Sequence, residues 1–123
     1  VNDVMVPIGD CPRCIENATL AYALIEMSSK GLGMVAVETD TGLLAGIFTD
    51  GDLRRTLSTN ADIHTLRMDG IMSKEPTTTT QQDLAVNAVL LMQELKITTL
   101  PVIEQGRLVG VVTMHALLAS GVV

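Results

Sequence analysis

The chain carries one helical pattern twice, and this internal repeat limits the folds that it can adopt. Four apolar residues in each half have the spacing i, i+3, i+4, i+7, which predicts an amphipathic helix. Because Met92 follows Met27 by 65 residues and the other three pairs keep the same offset, we infer a duplicated unit. The two sets are Leu20, Ala23, Leu24 and Met27, and Ala85, Ala88, Val89 and Met92.

Strand patterns extend the repeat beyond the helices. Residues 34–39 and 43–48 favour strands and are separated by turn residues, which predicts a hairpin. A helix is predicted to follow over residues 50–58. The same order returns in the second half, where residues 100–102 align with 35–37 and residues 108–113 align with 44–49.

A brief extended piece around Cys14 and Ile15, matched by residues 77–80 in the second half, precedes each helix. Each half therefore has the order strand, helix, strand, strand, helix. This order predicts an α/β (α+β) fold of two pseudo-symmetric β-α-β-β-α repeats packed sheet to sheet, since neither half could bury its own sheet alone. We place repeat 1 at 1–62 and repeat 2 at 63–123, with a polar break over 59–62. Within the repeats, Gly31 is expected to end the first helix and Asp83 to cap the helix of the second half.

Composition argues against several classes of partner. The formal net charge of -6 repels a nucleic-acid backbone, and an aromatic content of 2% leaves few rings on which bases could stack. No stretch approaches the roughly 18 consecutive apolar residues of a membrane span, and the first residues lack the pattern of a signal peptide. We therefore expect a cytoplasmic protein that binds neither nucleic acid nor membrane.

Cys11 and Cys14 form a Cys-x-x-Cys pair, which can indicate a redox or zinc site. A structural zinc needs about four ligands, whereas the histidines of the chain, His64 and His115, are distant in sequence. We expect two reduced thiols in a loop, histidines at the surface or in caps, and no resident metal or cofactor.

The sequence GIFTDGDLRR at 46–55 joins a predicted strand to a predicted helix. Thr49 and Asp52 have the Thr-x-x-Asp spacing of a capping box. The same turn could bind a ligand, because the N–H groups of a helix start favour an anion and a carboxylate accepts hydrogen bonds from a sugar diol. Both interpretations can hold at once. In the second half Ala116 stands where Asp52 maps, so only one of the two turns keeps the acid.

Together these residues resemble a tandem pair of cystathionine-β-synthase-type (CBS) domains, or Bateman module, over essentially the whole chain. The pattern Gly46-x-x-Thr49-x-x-Asp52 is similar to the nucleotide motif of that family, and Gly110-x-x-Thr113 keeps half of it. The resemblance implies that the Thr49 hydroxyl approaches a phosphate and that the Asp52 carboxylate holds ribose hydroxyls.

Other site residues are implied by the same resemblance, because CBS clefts are bordered by both repeats. Thr98, Thr99 and Pro101 are candidates to hold a base through backbone groups, although ordinary strand roles remain open for them. Met34 and Ala36 are candidate apolar walls, and Arg54 and Arg55 could neutralise the charge of a ligand.

GIFTDGDLRR and the ending from Met114 resemble more narrowly the C-terminal part of bacterial D-arabinose 5-phosphate isomerases. In that family a sugar-isomerase (SIS) domain precedes the CBS pair and carries the catalysis, so the chain resembles the regulatory part of such an enzyme. Members commonly have an acid where this chain has Ala116. The resemblance implies regulation within Kdo synthesis for lipopolysaccharide or capsule, with CMP-Kdo or an adenosine nucleotide as effector.

Two functions compete at this stage. In the first, the chain is a regulatory module that binds a nucleotide or nucleotide-sugar and acts on an attached isomerase domain. In the second, it only assembles the isomerase into a homodimer or tetramer, and the Thr49 and Asp52 motif is a helix cap. The chain itself shows no pattern that predicts catalysis, because no nucleophile with a neighbouring base and no paired carboxylates are found.

Overall fold

The computed structural model of the chain describes residues 1–60 and 62–121. Ala61 of the predicted polar break, and the terminal Val122 and Val123, lie outside the described residues. The chain divides into two compact units, and we describe each by itself. The central unit is Cys11–Pro76, and the terminal unit is Val1–Asp10 with Thr77–Val123.

The central unit is a four-stranded sheet with two helices. Its elements are β2 at Arg13–Ile15, α1 at Leu20–Lys30, β3 at Met34–Glu38, β4 at Leu44–Thr49, α2 at Asp50–Leu57 and β5 at Ser73–Lys74. The strand order is β2-β3-β4-β5, in which β2 runs parallel to β3 and the other neighbours are antiparallel. The predicted hairpin is confirmed, since β3 and β4 pair along most of their length.

Helix α1 begins and ends where the sequence predicts. The Thr19 hydroxyl accepts a hydrogen bond from the Tyr22 N–H at 3.3 Å, which satisfies one of the free donors of the first turn. At the other end Gly31 has a φ of 72°, and its N–H donates to the carbonyl of Met27. A residue without a Cβ adopts this left-handed conformation at little cost, so the predicted stop at Gly31 is confirmed.

The alternation of strand β3 divides its side chains between the two faces of the sheet. Val35 and Val37 belong to the helix-covered core, whereas Met34 and Ala36 lie on the other face, and all four are fully buried. The core cluster of the central unit is Cys14, Leu20, Ala23, Met27, Val35, Val37, Phe48 and Met68.

The terminal unit has a similar design, with two helices and a sheet of three strands in the order β1-β7-β6. The extended segment before α3 adds one parallel bridge, from Thr79 to Val102, which corresponds to the pairing of Cys14 with Val37. The elements are β1 at Val6–Pro7, α3 at Ala85–Leu95, β6 at Thr99–Glu104, β7 at Arg107–Thr113 and α4 at Met114–Ala119. The core cluster is Ala88, Val89, Met92, Leu100, Val102, Val112 and Leu117.

The predicted fold class is confirmed, because both halves show the expected order of elements. The prediction that Asp83 caps α3 is wrong, since the N-cap is Leu84 and it makes no side-chain cap bond. The Asp83 carboxylate instead accepts hydrogen bonds from the hydroxyl of Thr79 and from the N–H of Thr80. These bonds lower the pKa of Asp83, with the Thr79 bond as the largest cause.

The compact units do not follow the division of the sequence repeats at 62 and 63. Strand β1 pairs with β7, so residues 1–10 join the second half of the chain. Strand β5 pairs with β4, so residues 63–76 stay with the first half. Each repeat therefore donates its leading strand to the sheet of the other repeat. Sequence reasoning missed β1 and β5, because each is only two residues long.

A glycine in each sheet makes room for the donated strand. A Cβ at Gly46 would lie 2.6 Å from the carbonyl oxygen of Ser73 and 2.9 Å from the sulfur of Met72. A Cβ at Gly110 would lie 2.6 Å from the carbonyl oxygen of Val6 and 2.7 Å from the sulfur of Met5. The glycine of the Gly-x-x-Thr pattern thus has a packing role in both units.

We predict that Gly46→Ala lowers the free energy of unfolding by about 1–3 kcal/mol, because a main-chain oxygen cannot move aside as a flexible side chain does. Urea denaturation followed by circular dichroism measures the change. Gly70→Ala is the matched control, since a Cβ at Gly70 meets no heavy atom within 4 Å. Equal stabilities of the two variants would contradict the packing role of Gly46.

Candidate functional site

The turn from β4 into α2 is closed by a reciprocal pair of hydrogen bonds. The Asp52 N–H donates to the Thr49 hydroxyl at 3.3 Å, and the Thr49 N–H donates to Asp52 Oδ2 at 2.9 Å. The Asp50 N–H also donates to the carbonyl of Gly33 at 3.1 Å, which ties the helix start to the residue before β3. The predicted capping box is therefore confirmed.

The Asp52 carboxylate receives more donors than a cap requires. The Arg55 guanidinium forms an ion pair with Oδ1, and the Ser73 hydroxyl lies 3.4 Å from Oδ1 and 3.3 Å from Oδ2. The Asp52 side chain is only 9% exposed, whereas that of Arg55 is 73% exposed. Asp52, Arg55 and Ser73, which we call the polar cluster, thus join a buried acid to a cation that reaches solvent.

A pocket of about 280 Å³ opens beside the polar cluster, within the central unit. Asp52 and Arg55 form its charged part, the hydroxyl-bearing Thr56 lies one turn after Asp52 on α2, and Thr59 follows the end of that helix. Leu66 and Ile71 provide its apolar wall. A pocket with this mixture suits a small ligand that has anionic, hydroxyl and apolar parts.

The corresponding turn of the terminal unit keeps the cap but lacks the polar cluster. The Thr113 hydroxyl accepts from the Ala116 N–H at 3.1 Å, and the Met114 N–H donates to the carbonyl of Thr98 at 2.9 Å. Ala116 stands where Asp52 maps and Ala119 where Arg55 maps, with an offset of 64 residues. Val6 occupies the place of Ser73, because it pairs with Val111 as Ser73 pairs with Ile47.

Of the predicted site residues in the central unit, Thr49 and Asp52 are hydrogen-bonded to each other. Met34 lies opposite Thr49 in the β3–β4 ladder, and Ala36 lies opposite Ile47. Arg54 is exposed and does not line the pocket, whereas its neighbour Arg55 does.

The other three predicted residues belong to the terminal unit. Thr98 is exposed and its carbonyl is used by the Met114 N–H. Thr99 pairs with Thr113 and Pro101 pairs with Val111 in the β6–β7 ladder, and Pro101 is buried. The ligand roles of all nine candidate residues, Arg55 included, remain predictions.

Ser73 is the residue of the polar cluster that sequence reasoning missed, and the pocket residues Thr56, Thr59, Leu66 and Ile71 were missed as well. It lies 21 positions after Asp52 and follows the Ile71-Met72 pair that matches Val4-Met5 in the repeat. Extending that match by one residue aligns Ser73 with Val6. The alignment matches the Ser73 hydroxyl with the apolar Val6 and the Asp52 carboxylate with the apolar Ala116, and the pairing of β5 with β4 brings the two polar residues into one unit.

The cysteine pair is buried, in a setting unlike a redox or metal site. Cys14 lies in the middle of β2 and packs in the core, so the extended piece predicted around Cys14 and Ile15 is confirmed and the loop expected for the cysteine pair is wrong for this residue. Burial, with smaller contributions from the carboxylates of Glu26 and Glu38, raises the pKa of the Cys14 thiol to about 11. Within residues 1–60 and 62–121, His, Cys, Asp and Glu form no group of three that could hold a metal ion.

Both histidines are exposed, as predicted for surface positions. The N–H of His64 donates to Asp62 Oδ1 at 2.9 Å. Among the described helices, none combines the length and the apolar character that crossing a bilayer would need.

We predict that Cys14 is alkylated by iodoacetamide far more slowly in the folded chain than in urea at pH 8. The reactive species is the thiolate, and a pKa of about 11 keeps nearly all of the folded population protonated at that pH. Mass spectrometry of the peptide that contains Cys14 measures the rate. A folded rate similar to that in urea would contradict the buried position of this thiol.

Comparison with known proteins agrees with the internal repeat. The CBS domain family matches residues 1–59 and 68–122. Arabinose 5-phosphate isomerase KdsD of Pseudomonas aeruginosa is 42% identical over 123 residues, which cover 99% of this chain and 38% of that protein. Its counterpart in Escherichia coli is 39% identical over 100% of this chain and 38% of that protein. The chain thus spans well under half the length of these relatives.

Solved structures share the fold. A structure of CBSX2 in complex with AMP superposes with a TM-score of 0.83 at 21% identity, covering 98% of this chain and 94% of that chain. A putative acetoin utilization protein, AcuB, from Vibrio cholerae gives 0.85 at 22% identity, covering 99% and 89%. With two family matches that span most of its length and both halves of the repeat in place, the chain belongs to the CBS domain family.

Proposed function

We propose that the chain is a regulatory module that binds a nucleotide or nucleotide-sugar at the turn formed by Thr49 and Asp52. The observation that carries this proposal is the one-sided polar cluster. Asp52, Arg55 and Ser73 occur together beside a pocket in the central unit, while the matching positions of the terminal unit are Ala116, Ala119 and Val6. A helix cap needs neither the arginine nor the serine, so a cap alone does not account for the difference.

The chemistry of the turn suits a nucleotide. The exposed guanidinium of Arg55 can bind phosphate oxygens, and the positive end of the α2 dipole lies nearby. The oxygens of the Asp52 carboxylate can accept hydrogen bonds from ribose hydroxyls. A similarly folded protein, CBSX2, has been solved in complex with AMP, which supports adenosine nucleotides as one ligand class.

The relatives suggest the larger protein in which this module acts. Because the isomerases from Pseudomonas aeruginosa and Escherichia coli match along nearly all of this chain, we place the module in a cytoplasmic arabinose 5-phosphate isomerase. Its partner would then be a SIS catalytic domain of the same polypeptide, and its pathway the supply of Kdo for lipopolysaccharide or capsule. CMP-Kdo is the corresponding feedback ligand, and AMP is the alternative.

Isothermal titration of the chain with AMP, ATP, CMP and CMP-Kdo tests the proposal. We expect saturable binding of at least one of these, and Arg55→Ala should weaken it by about tenfold through loss of a charge-assisted hydrogen bond. Arg54→Ala is the matched control, since it removes the same charge from the neighbouring residue outside the pocket. No heat from any of the four ligands at millimolar concentration would count against the proposal.

A second function is assembly, and the exposed apolar residues of helix α3 favour it. Val86 and Leu90 lie one turn apart and are 42% and 58% exposed, and Leu84 at the helix start is 64% exposed. Large apolar side chains at such density on one helix are typical of a protein–protein contact. The module would then hold copies of the isomerase together, with or without a bound nucleotide.

We predict that the chain is a dimer or tetramer in light-scattering measurements after size exclusion, and that Leu90→Glu shifts it toward the monomer. Burying a new carboxylate in the contact costs several kcal/mol unless the charge is paired. Leu43→Glu is the control, because Leu43 is also an exposed leucine but precedes β4 on another unit. A monomeric wild-type chain would leave the assembly function without support.

A further inference from the structure

The Asp52 carboxylate has no free acceptor position for a ligand. Its donors are the N–H and the hydroxyl of Thr49, the guanidinium of Arg55 and the hydroxyl of Ser73. These are four donors, and the two oxygens of a carboxylate offer about four lone-pair sites. A ligand hydroxyl that donates to Asp52 must therefore displace one of the four.

Ser73 is the donor that is displaced most easily. Its distances of 3.3 and 3.4 Å to the carboxylate are the longest of the set, against 2.9 Å for the Thr49 N–H. The Thr49 groups are held by the capping box, and Arg55 forms an ion pair with the carboxylate. Ser73 is also an exposed residue, so its hydroxyl can turn to water when Asp52 no longer accepts it.

The position of Ser73 in the chain gives this exchange a consequence. Ser73 and Lys74 are the whole of strand β5, and the central unit ends two residues later at Pro76. Glu75, which lies between Lys74 and Pro76, has a φ of 53°, which is uncommon for a residue with a side chain. The hydrogen bond from Ser73 is thus a side-chain tie between helix α2 and the last segment before the chain enters the terminal unit.

We propose that a ligand hydroxyl replaces Ser73 on the Asp52 carboxylate and thereby loosens β5 and the segment that follows it. This inference rests on the proposed nucleotide site and supplies its means of signalling. Occupancy is sensed by the loss of one internal hydrogen bond, and the signal leaves through residues 73–76. The terminal unit has no such link, because its matching residues are Val6 and Ala116.

The tie itself can be tested without ligand by hydrogen–deuterium exchange. Ser73→Ala removes the hydroxyl and leaves the ladder of β5 with β4 in place. We expect amide exchange in the segment 73–76, whose N–H groups are those of residues 73–75, to accelerate by about twofold to tenfold, the equivalent of one ordinary hydrogen bond, with helix α1 unchanged. Ser29→Ala is the control, because the Ser29 hydroxyl is exposed and donates to the carbonyl of Glu26 in the same unit. Unchanged exchange in residues 73–76 of Ser73→Ala would overturn the inference.

The sign of the effect on ligand binding is the second test, with AMP and CMP as probes. If Ser73 competes with the ligand, Ser73→Ala should bind the nucleotide about twofold to tenfold more tightly than the wild type. Weaker binding would mean that Ser73 supports Asp52, and the inference would be wrong. In the wild type, bound nucleotide should accelerate exchange in residues 73–76, and protection there would also overturn it.

The two proposals fail in different ways. Absence of nucleotide binding to the wild type refutes the proposed function, while the ligand-free exchange of Ser73→Ala still decides whether the tie exists. Binding that leaves exchange in residues 73–76 unchanged refutes the signalling route and leaves the nucleotide site standing.

Discussion

Close contact between two main chains at a glycine is the constraint on which both units of this protein depend. Gly46 and Gly110 each let a two-residue strand from the other sequence repeat lie directly beside a central strand, where a methyl group would meet a carbonyl oxygen at 2.6 Å. The methionine sulfurs of Met72 and Met5 fill the space left above the glycines. The polar cluster follows from this contact, because Ser73 reaches Asp52 only as part of the strand that Gly46 admits.

The start of helix α2 combines a structural role with a chemical one. Thr49 and Asp52 satisfy the free N–H groups of the first turn, which any helix in this place would need. Asp52 also gathers a cation and a hydroxyl that the cap does not use. Because Asp52 has both roles, a change in the hydrogen bonds of its carboxylate also affects the cap at the start of helix α2.

Much of the fold could be predicted from the sequence because local signals agree with the packing. The apolar stripes of α1 and α3, the left-handed Gly31 and the hairpin of β3 with β4 each follow from residues close together in the chain. The capping box is local in the same way. The prediction for Asp83 was wrong because its carboxylate accepts hydrogen bonds from Thr79 and Thr80 and not from the first turn of the helix that it precedes.

What the sequence did not reveal depends on contacts between distant residues. Strands β1 and β5 have no periodicity of their own, and they exist because a partner strand accepts them. The choice of Arg55 over Arg54 depends on which side of α2 faces the acid, and the role of Ser73 depends on a strand pairing across the repeat boundary. A position-by-position alignment of the two halves points to Ser73, whereas the role of Arg55 is identified only by the structure.

The reciprocal donation of β1 and β5 has a consequence for the ancestry of the chain. In a single repeat of this kind, the leading strand would have no strand to pair with, and the central strand would lack its outer neighbour. Two separate copies would complete each other by trading these strands, in the manner of a domain-swapped pair. The present chain has the connectivity of such a pair joined end to end, in which the two exchanged sheets need not stay identical: the central unit has Asp52, Arg55 and Ser73 where the terminal unit has Ala116, Ala119 and Val6.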